Sequence, residues 1–128
     1  MIKFLYLSLG GIAGAVLRYM TSGVVNQWMG VSFPYGTFFV NMSGSFIIGF
    51  LWGLSENLAI SPNMRIFLFV GFLGSFTTFS TFALESLNYL RDNNTKIAIA
   101  NMLISNILGI ILVFAGIFIS KYIFTSNQ

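Results

Sequence analysis

The sequence has no cysteine and no histidine, and its acidic residues are only Glu56, Glu85 and Asp92. Without thiolates or imidazoles, the usual nitrogen and sulfur metal sites cannot be built. No Ser–His or Cys–His pair exists for nucleophilic catalysis. The three carboxylates are too scattered to suggest an acid–base pair. An enzyme is therefore not expected. Charge of either sign is scarce: 7% of residues are charged, against about 25% in a typical soluble domain. The net charge of +3 is explained better by basic residues flanking membrane spans than by a nucleic-acid patch.

What is abundant is apolar surface. Of the 128 residues, 56% are hydrophobic, and the mean hydropathy is +0.86. Four apolar segments stand out, at about Ile2 to Val25, Tyr35 to Ser55, Met64 to Leu90 and Ile97 to Ile119. A bilayer core needs about 20 helical residues, and each segment supplies enough. The first is too long for a signal-peptide core, and no small-residue cleavage site follows it, so it reads as a retained span. Period-2 alternation is missing, which argues against a β-barrel. The connections are short: Asn26 to Pro34, Glu56 to Asn63 ending in Ser-Pro-Asn, and the charged Arg91 to Lys96 turn. The expectation is one all-α domain over residues 1–128, with four transmembrane helices in a lipid bilayer.

Small and polar residues recur every four positions. The ladders are Gly10, Gly14, Arg18 and Ser22; Thr37, Asn41, Ser45, Gly49 and Gly53; Thr77, Thr81 and Glu85; and Asn101, Ser105 and Gly109. Residues four apart share a helix face, and small ones let membrane helices approach closely. The glycines therefore read as packing. Arg18, Asn41 and Glu85 read differently, because ionisable and amide groups within spans usually face a cavity or a partner. Asn41, Asn101 and Asn106 each allow two readings, ion contact or interhelical hydrogen bonding. Trp28 and Trp52, near span ends, read as interfacial anchors.

The third segment carries the stretch that organises the chain, G-F-L-G-S-F-T-T-F-S-T-F from Gly71 to Phe82. It holds two glycines, two serines and three threonines in an otherwise apolar run. Lipid offers no hydrogen bonds, so loosened backbone there must line a cavity or a protein interface. Phe76, Phe79 and Phe82, at i, i+3 and i+6, are expected to share one helix face. Hydroxyls beside aromatic edges suggest an ion pathway.

Four short helices do not easily enclose a pore, so a dimer or larger assembly is expected. The flanking charges add a clue. Lys3, Arg65 and Lys121 fall on the side of the N-terminus, and Arg91 and Lys96 on the other. So small a bias gives the positive-inside rule almost nothing to act on. Both orientations, and hence an antiparallel dimer, are permitted.

With these residues assembled, the chain resembles the Fluc/CrcB fluoride channels. The resemblance is carried by G-G-I-A-G-A-V-L-R-Y (Gly10 to Tyr19), Y-G-T-F-F-V-N-M-S-G-S-F (Tyr35 to Phe46) and Gly71 to Phe82, and it covers the chain in length, span count and motif order. It implies passive exit of fluoride across the bacterial inner membrane through an antiparallel dual-topology homodimer with two pores, each using helices of both subunits. It implies that Asn41 donates a hydrogen bond in the pore. Phe79 and Phe82 present ring edges to fluoride, and Ser80, Thr81 and Glu85 form a polar track beside them. Gly74 and Thr77 match positions in a break of the third helix whose backbone carbonyls hold a structural Na⁺ on the dimer axis. Arg18 matches the arginine of the first helix, in a vestibule or packing role. Ser75 departs from the pattern, standing where a second glycine is expected.

The residue types suit such a task. Fluoride is strongly hydrated, so a pore must replace its water with close donors, which amide and hydroxyl groups provide. Ring edges carry partial positive charge. Two competing readings are weaker. A small multidrug-resistance-type exporter needs a carboxylate in its first helix, and here the ionised residues of that helix are Lys3 and Arg18. A non-transporting scaffold subunit would need no polar track.

Overall fold

In the computed structural model, which describes residues 1–56 and 58–125, every regular element is helical. Asn57, inside the Glu56 to Asn63 connection, lies outside the described residues. Helix α1 spans Ile2–Met29 and α2 spans Tyr35–Ser55. The third crossing is composite. It comprises α3 (Pro62–Arg65), a π-helical segment (Ile66–Leu73), α4 (Gly74–Phe76) and α5 (Phe79–Arg91). Helix α6 covers Thr95–Thr125. Among the described residues, four stretches are long and apolar enough to cross a membrane: Ile2–Met29, Tyr35–Ser55, Pro62–Arg91 and Thr95–Phe124.

The helices outrun the apolar segments at most ends. Asn26 belongs to α1 rather than to a loop, and its carbonyl accepts from the Gly30 amide at 2.9 Å. Gly30 then ends the helix at φ 82°, a conformation that only glycine adopts without strain. Pro34 precedes α2 and Pro62 opens α3, the two places where a missing amide costs least. Ser61 caps α3, accepting from the Met64 amide at 3.3 Å. The tight α5–α6 turn uses Asn93 at φ 58°, and the Asn94 amide returns to the Tyr89 carbonyl at 2.8 Å.

Glycines set the two closest helix contacts. A Cβ at Gly10 would meet the Phe67 carbonyl, and one at Gly14 would overlap that of Phe72, so α1 lies directly on the π segment. A Cβ at Gly49 would overlap the Val113 carbonyl, and one at Gly116 the Phe46 carbonyl, so α2 lies directly on α6. Of the ladder glycines, Gly10, Gly14 and Gly49 pack backbone against backbone, whereas Gly53 lies against the Ser120 hydroxyl and Gly109 against the Ser45 and Met42 side chains. Val40, Met42, Leu73, Phe76 and Ala98 fill the small core between these pairs. Phe114 and Phe118 on α6, and Leu5 and Val16 on α1, point outward, as lipid-facing side chains do.

The helix ends confirm which charges share a side. Lys121 on α6 pairs with Glu56 after α2 at 2.7 Å. Arg65 donates to Ser55 Oγ at 3.1 Å and lies over the Trp52 ring, 5.8 Å from its centre. Trp52 in turn meets Phe69 edge-on at 5.9 Å.

Candidate functional site

The site forms where the third crossing loses its helical ladder. The chain leaves the helix after Phe76. Thr77 (φ −82°, ψ 158°) and Thr78 (φ −148°, ψ 116°) are extended, and α5 begins at Phe79. The apolar run alone does not account for the position of this interruption; its hydrogen bonds do. The Thr78 amide donates to Asn41 Oδ1 at 2.8 Å, and Asn41 Nδ2 donates to the Thr78 carbonyl at 3.0 Å. One side-chain amide thus engages both backbone polar groups of Thr78 and replaces the helical acceptor that the Thr78 N–H loses at the break. Thr78 Oγ1 caps α5, accepting from the Thr81 amide at 3.2 Å. Thr77 Oγ1 folds back to the Leu73 carbonyl at 3.0 Å. Close passage of α2 is also required, since a Cβ at Gly44 would overlap the Thr77 methyl group.

The break leaves the carbonyls of the preceding turn without their helical partners, those of Gly74 and Thr77 among them. In an unbroken α-helix the Thr78 amide would serve Gly74, and the Thr81 amide would serve Thr77. Both amides are committed elsewhere, to Asn41 and to the Thr78 hydroxyl. Gly74 itself is exposed. The oxygens of Gly74 and Thr77 therefore suit a hard cation, which unwound carbonyls at the C-terminal end of a half-helix coordinate well. Two oxygens are half a coordination shell at most. Among the described residues no cluster of three or more His, Cys, Asp or Glu offers an alternative cation site.

Beside the break lies an open cavity of about 360 Å³ whose wall includes Asn41, Gly74, Thr77, Phe79, Phe82, Ser105 and Asn106. The Phe79 and Phe82 rings meet there at 5.4 Å with a tilt of 46°. Phe82 is 7% exposed and Phe79 74%, so one ring is fixed in the wall and the other stands free at its rim.

Phe76 does not join them. The interruption separates it from Phe79, so the i, i+3, i+6 relation no longer describes a shared face. Phe76 instead stacks on Phe72, centroids 6.1 Å apart and planes 3° from parallel. Ser80, Thr81 and Glu85 also sit off the cavity wall. The Ser80 and Thr81 hydroxyls gather on Thr78 Oγ1 at 3.2 and 3.0 Å, and both residues are exposed. Glu85 Oε1 accepts from Thr37 Oγ1 at 2.8 Å, while its Oε2 is buried without a hydrogen-bond partner. These polar groups form a second strip along α5. Arg18 is half-buried on α1, away from the residues lining the cavity. Ser75 lies over Gly11, where a Cβ would stand 3.5 Å from its hydroxyl, an ordinary contact.

Asn101 and Asn106, alike in sequence, are placed very differently. Asn106 is exposed at the cavity, its Nδ2 donating to the Met102 carbonyl at 2.6 Å. Asn101 is 1% exposed and donates to Ser86 Oγ at 3.0 Å inside the α5–α6 seam. The pairing of Asn41 with the Thr78 peptide was also not foreseeable from sequence. Its only local signal is an amide in one apolar span and a hydroxyl-rich stretch in another.

Four spanning helices, one of them unwound beside a polar and aromatic cavity, make this a multi-pass membrane protein. Comparison with known proteins narrows the class. Residues 5–117 match the family of CrcB-like proteins, Camphor Resistance (CrcB). Curated relatives named "Fluoride-specific ion channel FluC" align along almost the whole chain. The one from Parabacteroides distasonis is 47% identical over 125 residues, covering 98% of each chain. The one from Aquifex aeolicus is 46% identical over 110 residues, 85% of this chain and 89% of its own. The one from Salinibacter ruber is 43% identical over 116 residues, 91% and 87% respectively. The chain belongs to the CrcB-like family.

Proposed function

We propose that this protein is a fluoride-selective channel, not an enzyme, and that it lets fluoride leave the bacterial cytoplasm down its electrochemical gradient across the inner membrane. The observation that carries the reading is the joint presence of Asn41, Phe79 and Phe82 on one cavity beside the unwound Thr77–Thr78 backbone. Asn41 uses one N–H on the Thr78 carbonyl and keeps the other for an anion. The ring edges of Phe79 and Phe82 supply partial positive charge without a tightly held counter-charge. The positive end of α5 opens at the same place. Several weak sites in a row let an ion leave as readily as it arrives. Ser80, Thr81 and Glu85 would continue the path along α5 as a hydroxyl and carboxylate strip.

The cavity is open on one side, and a second copy of the chain in antiparallel orientation would close it. In that arrangement the breaks of both copies lie at mid-membrane, and each contributes the freed Gly74 and Thr77 carbonyls, giving four oxygens on the two-fold axis. These would hold a Na⁺, which when bound supplies a fixed positive charge near both pathways. Arg18 belongs to a vestibule or to packing.

Efflux from liposomes tests the function. Purified protein should release trapped fluoride without a proton gradient and should retain chloride. Flux that needs a proton gradient, or chloride leaving as fast as fluoride, would defeat the reading. Topology has its own test. A single Cys placed at Asn94, next to the left-handed Asn93, should label from both sides of the membrane, since the native chain has no cysteine. Adding two lysines to the Glu56 to Asn63 loop should bias insertion and abolish activity. Co-expression with a copy biased through the Asn26 to Pro34 segment should restore it. One-sided labelling together with full activity of the biased copy alone would exclude the antiparallel dimer.

A further inference from the structure

A polar chain runs from Ser105 in the cavity wall into the buried α5–α6 seam and ends on the Phe82 carbonyl. Ser105 Oγ donates to Asn101 Oδ1 at 3.1 Å, Asn101 Nδ2 donates to Ser86 Oγ at 3.0 Å, and Ser86 Oγ donates to the Phe82 carbonyl at 2.8 Å. Asn101 is 1% and Ser86 4% exposed, so the Asn101–Ser86 and Ser86–Phe82 bonds are shared with neither solvent nor lipid.

Elsewhere α5 is tied to other elements by single side-chain bonds, Glu85 Oε1 accepting from Thr37 at 2.8 Å and Tyr89 donating to the Val31 carbonyl at 3.2 Å. At its start Asn41 holds Thr78, and the seam is its polar tie to α6. Helix α5 is 13 residues long and enters from an extended dipeptide, so no helical ladder fixes its rotation at that end. Much of its surface is open: Phe79, Ser80, Thr81, Leu84 and Leu87 are all exposed. The glycine contacts that lock α1 to the π segment and α2 to α6 do not reach it. Against α6 it presents Ser86 and Phe82, and α6 answers with Asn101 and Ala98, all buried. A rotation of α5 by one residue would turn Phe82 out of the cavity wall and would also carry Ser86 away from Asn101. In a low-dielectric seam the second event is costly, because it leaves an amide and a hydroxyl unpaired.

We infer that Asn101 is a positioning residue which, through Ser86, fixes the rotation of α5 and so the orientation of the Phe82 ring in the pathway. The link to transport rests on the reading of Phe82 as a pathway residue; the link to ring orientation does not. The direct bond from Ser86 to the Phe82 backbone makes the coupling short. Ser105, which lines the cavity beside Phe82, completes a loop from one part of the wall to another through the seam. A Ser side chain bonded to the carbonyl four residues earlier also bends a helix slightly. Asn101 and Asn106 thus differ in role: the first orients the wall, and the second stands exposed at the cavity.

The test places a single 4-fluorophenylalanine at Phe82 in the purified, membrane-reconstituted protein and reads its fluorine resonance together with fluoride flux. A second label at Phe118, exposed on the lipid side of α6, serves as a reference for global disruption. Ser86→Ala and Asn101→Leu should shift or split the Phe82 resonance and leave that of Phe118 unchanged. Flux should fall about tenfold, the factor expected from losing roughly one buried hydrogen bond. Ser86→Ala is the milder change and keeps the test open if Asn101→Leu does not fold. A native Phe82 resonance in the folded variants overturns the inference, whatever the flux. Equal shifts at Phe82 and Phe118 overturn it too, because the effect would then be general. A shifted Phe82 resonance with native flux upholds the positioning role and instead removes Phe82 from the ion pathway.

Discussion

Gly49 and Thr78 mark two kinds of helix contact in the same small protein. At Gly49, α2 meets α6 with so little space that one added carbon would overlap the Val113 carbonyl. At Thr78, α2 reaches the third crossing through a side chain, Asn41, which spans the gap with two hydrogen bonds. The first contact depends on the absence of atoms, and the second on their chemical identity. Glycine contacts are short-ranged and rigid, and they hold α1 to the π segment and α2 to α6. Hydrogen bonds hold the break and α5, leaving backbone oxygens, ring edges and one amide proton uncommitted. The two regions divide the labour: the close-packed pairs form a frame, and the polar seam carries groups able to meet an ion.

The comparison can be broken most severely in the frame. Gly49→Leu should prevent assembly of folded protein, since overpacking against backbone costs about 1–3 kcal/mol or more; gel filtration of the purified variant would detect this as loss of the monodisperse peak. In the polar seam, Asn41→Asp should leave the fold recognisable and stop transport. The carboxylate has no proton for the Thr78 carbonyl and repels an approaching anion. We expect fluoride flux in liposomes to fall about a hundredfold, the order set by an unpaired buried group. Near-native flux at neutral pH would reduce Asn41 to a packing role. Phe79→Ile and Phe82→Ile should each lower flux at least about tenfold while assembly survives, because the apolar bulk remains and the ring edge is lost. Normal flux in correctly assembled protein would take these rings out of the pathway. The smallest effect belongs to a glycine outside the frame. Nothing lies within 4 Å of a Cβ at Gly23, so Gly23→Ala should be neutral or stabilise by up to about 1 kcal/mol through helix propensity. A lowered thermal midpoint would show that this glycine also packs against something.

The same division governs what could be read in advance. Four spans and glycine packing are written locally, in apolar length and fourfold spacing. So was the prominence of Gly71 to Phe82, where hydroxyls and glycines interrupt an apolar run. What escaped was long-range or stereochemical. No periodicity links Asn41 to Thr78, 37 residues apart. A helical wheel puts Phe76 with Phe79 because it assumes an unbroken helix. Asn101 and Asn106 are the same residue type, and only the rotation of α6 buries one and exposes the other. Helix ends lie beyond the apolar segments because helices continue into polar residues such as Asn26 and Thr95, which hydropathy counts as loop.

The π segment adds a constraint on chain length. Its bonds run from each residue to the fifth beyond, so each turn holds more residues than an α turn. Ile66–Leu73 therefore shifts the angular phase of everything after it relative to α3. Removing or inserting one residue there would swing Gly74, Thr77 and Thr78 by roughly a quarter turn around the axis, away from Asn41. The lipid-facing positions of this stretch, such as Val70, are thus free to vary among apolar residues, while their number is not. Substitution is cheap at those outward positions but not at Gly71 and Leu73, and no insertion or deletion is.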